Sequence, residues 1–367
     1  MMRVLIVDDS PVLQILLRAI CEGAGFEVRV ADSGVKALQI LESYTPDIVT
    51  MDVHMPGIDG YETTARILER YALPVVVLTA SANVYDAATA MRALAAGALA
   101  VLEKPCSPDA KDFNLRIEEL LRTLRTMSQV KVVRRHRPSE KNITAVAAPH
   151  QLIEHTSFVA PQLIAISASA GGPAALKSLL QGFQQVPPWA LLLVQHISTG
   201  FLPSFCQWLA SVTVLQVQIA EDAQLLLPGV LYLAPEGWQI GVNAELRVYL
   251  QANSGQDQFC PSADHLFYSV ARHLGRRAIG IQLSGMGRDG AQGLAELRRM
   301  GGFTLAQEPD SALIDSMPRA AIDMQAACQV LTPEDIASLL NSIAKQAATL
   351  QATKGGASSC TTAQKSL

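Results

Sequence analysis

Residues 163–173 read Leu163-Ile164-Ala165-Ile166-Ser167-Ala168-Ser169-Ala170-Gly171-Gly172-Pro173. A short apolar run passes into a turn built only from Ser, Ala and Gly. Beyond Pro173, apolar residues recur at helical spacing over Ala174–Leu180. That order predicts a strand, a tight turn and a helix, with the backbone N–H groups at the helix start forming an anion site. A phosphate or dinucleotide loop is the bland reading. The turn, however, lacks G-x-G-x-x-G and the Lys-Ser/Thr of a P-loop, and it is not a G-x-S-x-G elbow. A serine there reads as a nucleophile whose oxyanion would use the same N–H groups.

Working outward, the next strand candidate, Ala190–Val194, ends in Gln195-His196, which supplies a base. Past the strand Ala278–Leu283 comes Ser284-Gly285-Met286-Gly287-Arg288-Asp289-Gly290. Its Asp289 offers the carboxylate that would hold the imidazole tautomer; alone, it reads equally as the N-cap of the helix that follows. All three groups follow strand carboxyl ends, where open α/β sheets place their sites. Further strands are expected at Val217–Ala220, Val230–Ala234, Leu246–Leu250 and Phe303–Ala306. Helices are expected at Leu202–Ala210, Ala263–Leu274, Ala291–Met300 and Pro318–Ala326. The strands from Val217 to Leu250 follow one another without helices. The fold expected is therefore doubly wound, mostly parallel α/β with an antiparallel insert.

The first third alternates in the same way. Strand candidates Arg3–Val7, Glu27–Ala31, Asp47–Met51, Val75–Thr79 and Ala100–Leu102 are each followed by helical spacing, which predicts a second parallel α/β sheet. Asp8 and Asp9 end the first strand and Asp52 the third, so three carboxylates converge on one edge. They repel one another unless a cation joins them, and oxygen ligands of this type suit Mg²⁺. Thr79 and Lys104 reach the same edge. A carboxylate, a hard cation, a hydroxyl and an ammonium are what an acyl-phosphate site requires.

The 367 residues are 49% hydrophobic and only 17% charged, which excludes a disordered chain and suggests two domains. A net charge of -4 offers no basic field for nucleic acid. No apolar run approaches the ~20 residues of a membrane helix. The N-terminus reaches Asp8 and Asp9 too soon for a signal peptide. The six cysteines are scattered without metal spacing, as in a reduced, cytoplasmic protein. The division expected is 1–125, a basic linker at 126–159, a second domain at 160–345 and a polar tail at 346–367.

Val7-Asp8-Asp9-Ser10, Met51-Asp52-Val53-His54-Met55-Pro56, Leu78-Thr79-Ala80 and Lys104-Pro105 resemble a response-regulator receiver domain of the flavodoxin-like fold. The resemblance implies Asp52 as phosphoacceptor. It implies Mg²⁺ held by Asp9, Asp52 and the His54 carbonyl with help from Asp8, and Thr79 and Lys104 on the phosphoryl group. Receivers usually carry Tyr or Phe three residues before the Lys; here it is Val101, so the output switch is expected to rely on Thr79 and the fourth helix.

The second half resembles the catalytic domain of chemotaxis protein-glutamate methylesterases. The likeness lies in the serine turn, Gln195-His196, Ala220-Glu221-Asp222, Leu227-Pro228-Gly229, Pro261-Ser262, Gly285-Met286-Gly287 and Met317-Pro318-Arg319. It implies Ser169 as nucleophile, His196 as base and then acid, Asp289 as its orienter, and backbone at Ala170 and Met286 around the oxyanion. No cofactor is implied for hydrolysis. The implied reaction removes methyl esters from chemoreceptor glutamates, releasing methanol, and deamidates selected receptor glutamines. A chemotaxis histidine kinase is the implied phosphodonor. The chain departs from the family in four places: Ser167 stands for Gly, Ala170 for Thr, Ile197-Ser198 for Met-Pro after the His, and Cys260 for Arg. The alternative is a catalytically weakened, receiver-containing signalling module that acts by partner binding. A dinucleotide enzyme lacks its glycine fingerprint, and a DNA-binding regulator lacks a basic recognition helix.

Overall fold

A computed structural model of the chain describes residues 1–80, 91–105, 112–130, 132, 160–253 and 259–356. The first half holds β1 (Arg3–Val7), α1 (Pro11–Gly23), β2 (Glu27–Ala31), α2 (Gly34–Leu41), β3 (Ile48–Asp52), α3 (Gly60–Tyr71), β4 (Val75–Thr79), α4 (residues 91–96), β5 (Ala100–Glu103) and α5 (Phe113–Met127). The strands run in the order β2-β1-β3-β4-β5, every pair parallel. β3 and β4 are buried along their whole length. A strand covered by helices on both faces needs such a continuous apolar run. Ser10, Ser33 and Asp59 cap α1, α2 and α3, accepting from Leu13, Lys36 and Glu62 N–H.

The second half holds β6 (Leu163–Ala168), α6 (Gly172–Gln181), β7 (Ala190–Gln195), α7 (Leu202–Val212), β8 (Gln216–Ile219), β9 (Val230–Leu233), β10 (Trp238–Val242) and β11 (Val248–Ala252). After these come α8 (Ala263–His273), β12 (Ala278–Gln282), α9 (Ala291–Arg299), β13 (Phe303–Gln307), α10 (Ser316–Asp323), β14 (Gln329–Leu331) and α11 (Pro333–Gly356). Seven parallel strands order as β14-β13-β12-β6-β7-β9-β8. The order reverses at β6, which lies between β7 and β12.

The expected antiparallel insert is smaller than the sequence suggests. β8 and β9 pair in parallel and extend the main sheet; only β10 and β11 pair antiparallel, as a separate hairpin. Parallel neighbours normally need a helix-length crossover. Here the 220–229 segment suffices, because it is fastened on both sides. Leu225 bridges Arg247, and Leu227 N–H donates to the Tyr232 hydroxyl at 3.0 Å. α11 also continues past 346, where the sequence suggests a polar tail. Ala344 and Ala347 turn onto the core, and Ala is the strongest helix former. Of the linker, 131 and 133–159 lie outside the described residues, as do 357–367 of the tail. Among the described residues no helix is long and apolar enough to cross a membrane.

The two sheets meet beside the serine turn. Leu68, Leu99 and Val132 from the first half and its linker pack with Ala170, Leu313 and Ile314 of the second. A cleft of about 250 Å³ remains between the halves.

Candidate active site

Ser169, His196 and Asp289 leave three adjacent parallel strands, β6, β7 and β12, at their carboxyl ends. Ser169 N–H donates to Ser284 O at 3.0 Å and His196 N–H to Ala168 O at 3.0 Å, which ties the turns together. The cleft is lined by Ser169, Ala170, Gln195 and His196 on one side, and by Leu99 and Val101 of the first half on the other.

Asp289 is fully satisfied. Its Oδ2 accepts from His196 Nε2 at 3.0 Å and Ala263 N–H at 2.7 Å. Its Oδ1 accepts from the Ser262 hydroxyl at 2.9 Å and Asp264 N–H at 3.0 Å. Burial alone would push this carboxyl up; the bonds from His196, Asp264 and Ala263 outweigh it and hold it below the usual carboxylate range. An ionised carboxylate only accepts, so the bonded Nε2 carries the hydrogen and Nδ1 is left as the basic atom.

The N-cap reading of Asp289 needs correcting in its target. Asp289 closes the start of α8, not of α9, while Asp264 closes α9 by accepting Gly293 N–H at 2.6 Å. Asp289, from the loop ahead of α9, thus joins the Ser262 cap of α8, and Asp264 of α8 serves the start of α9.

At Ala170 and Met286, no hydrogen bond is made by either backbone N–H among the described residues. Gly285 matters here for its missing side chain: a Cβ would lie 2.1 Å from Met317 Sδ and 2.8 Å from Ser169 Cβ. Of the departures, Ser167 is fully buried in β6, its hydroxyl without a hydrogen-bond partner. Ala170 packs into the contact between the halves. Cys260 is half-buried beside Pro261.

Sequence reasoning missed the groups that hold these turns. Four buried glutamines act as neutral staples. Gln195 Nε2 lies 2.9 Å from Ser169 O and 2.8 Å from His196 O. Gln282 Nε2 lies 3.1 Å from Asp289 O and 3.0 Å from Met317 O. Gln307 accepts Ser284 N–H at 2.7 Å. Gln239 grips both sides of Cys260-Pro261, donating to Phe259 O and accepting from Ser262 N–H, each at 2.7 Å. The signal was present in part, since Gln195, Gln282 and Gln307 each end an apolar strand. Replacing Gln195 with Met removes the donor from two main-chain carbonyls. A loss of about 1–3 kcal/mol of stability in urea unfolding is expected for each group left unpaired, with a drop in turnover because both turns loosen.

The acidic edge of the first sheet also assembles as expected. Ligand oxygens of Asp8, Asp9 and Asp52 lie within 4.8 Å of one another. Lys104 Nζ sits 2.8 Å from Asp8 Oδ2 and 2.9 Å from Asp52 Oδ1. Burial pushes the Asp52 carboxyl up, against the pull of Lys104. Burial pulls Lys104 down, but its bonds to Asp8 and Asp52 hold it above its ordinary value. Three carboxylates and one ammonium leave two formal negative charges, which a divalent cation with oxygen preference fits. Asp52 Oδ1 also takes His54 N–H at 3.3 Å, so both contacts fall on Oδ1 and Oδ2 takes neither. Thr79 is buried at the end of β4, and His54 is exposed at the rim.

The sequence profile of the CheB methylesterase family matches residues 164–340, and that of the response regulator receiver domain matches 4–112. A protein-glutamate methylesterase/protein-glutamine glutaminase 3 of Hahella chejuensis is 48% identical over 347 residues, covering 94% of this chain and 99% of that protein. A protein-glutamate methylesterase/protein-glutamine glutaminase 1 of Syntrophus aciditrophicus is 39% identical, with 94% and 99% covered. The solved CheB methylesterase catalytic domain of Thermotoga maritima is 27% identical, spans 50% of this chain and all of its own, and has a TM-score of 0.48. Nearly full-length identity of 48% to a curated relative leaves no ambiguity: the chain belongs to the protein-glutamate methylesterase family, with a response regulator receiver domain ahead of its CheB methylesterase domain.

Proposed function

We propose that this protein is a cytoplasmic, phosphorylation-controlled esterase. It removes methyl groups from glutamate side chains of chemoreceptors and deamidates selected receptor glutamines. The observation that carries this reading is the His196–Asp289 pair, bonded at 3.0 Å beside Ser169 on three adjacent strand ends. The receiver is taken as 1–125, the linker as 126–159, the catalytic domain as 160–345 and the tail as 346–367.

Ser169 Oγ attacks the ester carbonyl carbon while its proton passes to His196 Nδ1. The carbonyl oxygen becomes an oxyanion against the N–H groups of Ala170 and Met286. Collapse breaks the C–OCH₃ bond, and the imidazolium returns the proton to the departing methoxide, giving methanol. A water, deprotonated by His196, then releases the glutamate carboxylate and restores Ser169. With glutamine the leaving group is ammonia. Hydrolysis uses no cofactor in this scheme.

In the receiver, Asp52 Oδ2 takes the phosphoryl group from a chemotaxis histidine kinase. Asp8, Asp9 and Asp52 would hold Mg²⁺, which offsets charge on the phosphoryl oxygens. Lys104 and Thr79 contact the same oxygens. The apolar contact of Leu99 and Val132 with Ala170 closes one side of the cleft, so an unphosphorylated receiver restricts receptor access. Phosphorylation shifts the population toward open arrangements. Val101, buried at the cleft wall, offers no ring to swing, which leaves Thr79 and α4 to carry the change.

The test is methanol release from methylated receptor membranes by the full chain, with and without a small-molecule phosphodonor and Mg²⁺. Coupling between sites of about 1–3 kcal/mol predicts roughly 5–150-fold stimulation. Asp52→Asn is expected to keep the basal rate and lose the stimulation. Absence of methanol would favour the weakened module that acts by partner binding. A rate indifferent to phosphodonor would sink the regulatory half.

A further inference from the structure

The Phe259 ring lies over the His196 imidazole with centroids 4.7 Å apart and planes 8° from parallel. Neither the serine turn nor the Asp289 loop contributes this residue; it comes from the segment ahead of α8. Its carbonyl is gripped at 2.7 Å by Gln239, which is itself buried in β10. The same glutamine holds Ser262 N–H, and the Ser262 hydroxyl holds Asp289. One buried amide therefore fixes both partners of the imidazole: Asp289 on its edge and Phe259 on its face.

We propose that Phe259 is a positioning residue for ester hydrolysis that favours the protonated imidazole. The inference rests on the reading of Ser169, His196 and Asp289 given above. A hydrogen bond to Nε2 constrains one end of the ring but leaves it free to tilt about that bond. A parallel ring at stacking distance removes the tilt, which holds Nδ1 in one direction within the cleft that Ser169 also lines. The second effect is electronic. Imidazole is neutral before Ser169 gives up its proton and cationic afterwards. The negative face of a phenyl ring attracts the cation more than the neutral ring. Such an interaction strengthens only as the transition state forms, so it accelerates the step instead of merely tightening binding. Among the described residues, Asp289 bonds the imidazole, and Glu119 and Arg122 of α5 line the same cleft. None of these is changed by altering Phe259.

The experiment uses the full chain with Phe259 replaced by Leu and by a series of progressively fluorinated phenylalanines. Fluorine weakens the ring's negative face at nearly constant shape. Phe259→Leu is expected to lower kcat by about 3- to 30-fold with little change in KM. Log kcat should fall stepwise with fluorine number while the melting temperature holds. A signal from a ring proton of His196 should be shifted upfield in the parent by the stacked ring, and that shift should vanish in Phe259→Leu. That shift requires no turnover, so the two ideas fail separately. A parent without esterase activity would sink the triad reading. A missing upfield shift, or a flat kcat series, would overturn the role given to Phe259.

Discussion

Ser169→Ala is expected to abolish methyl-ester hydrolysis, with kcat falling about 10⁴–10⁶-fold. The size follows from losing covalent catalysis altogether; only the oxyanion donors and substrate binding remain. Ser167→Ala is the matched control, because the two hydroxyls are two residues apart yet occupy opposite environments. The Ser167 hydroxyl is sealed inside β6 without a hydrogen-bond partner, whereas Ser169 lines the cleft. Removing an unpartnered buried hydroxyl relieves a desolvation penalty, so Ser167→Ala is expected to be neutral or stabilising by up to about 2 kcal/mol, with turnover kept. Methanol release and urea unfolding on both variants provide the readout. Full activity of Ser169→Ala would refute its assignment as nucleophile.

Asp289→Asn should cost about 10⁴-fold in kcat, and stability as well. Four donors face Asp289, two of them main-chain N–H groups of α8. A carboxamide offers one oxygen and one NH₂. Whichever way it turns, its NH₂ meets a main-chain donor on one side. Turned toward His196, the NH₂ also forces the imidazole to accept at Nε2, which moves the ring hydrogen to Nδ1 and removes the base. The stability cost at neutral pH is expected to be about 1–3 kcal/mol. Its pH dependence has a definite sign. The Asp289 carboxyl is depressed in the folded chain, so its stabilisation is present above the unfolded carboxylate value and fades as pH falls through the folded one. The gap between parent and Asp289→Asn should therefore narrow toward about pH 3 and below. A constant gap across that range in denaturant titrations would contradict the linkage.

Both parallel sheets were legible in the sequence because their strands are continuous apolar runs whose ends carry the polar groups. Asp8, Asp52, Thr79, Lys104, Ser169, His196 and Asp289 all stand at or just past such ends, where topology alone gathers them. β8 and β9 misled because the absence of a helix between strands normally means a hairpin, and only the tertiary fastening of 220–229 makes the parallel pairing possible. Trp238–Val242 was missed because Gln239 and Gly241 interrupt its apolar pattern. Those interruptions have causes: Gln239 turns its amide onto the Phe259 loop, and a Cβ on Gly241 would lie 2.2 Å from the Tyr249 ring. The partners that the buried glutamines hold, and the Phe259 stack, were illegible for a simpler reason. A neutral amide or a phenyl ring acting over 20 residues or more of separation leaves no spacing motif behind.

The exchange of carboxylates between α8 and α9 ties the triad to the order in which the chain assembles. Ser262 caps α8 only at His265 N–H; the N–H groups of Ala263 and Asp264 wait for Asp289, just ahead of α9, and Gly293 N–H of α9 waits for Asp264 of α8. A chain with both helices formed but not docked would hold unsatisfied N–H groups at two termini and an imidazole without its orienter. The same event that seats the helices against each other delivers Asp289 to His196. Recovery of turnover during refolding therefore follows docking of this helix pair and trails the growth of helical signal, so that the esterase assay works as a clock for one particular tertiary step.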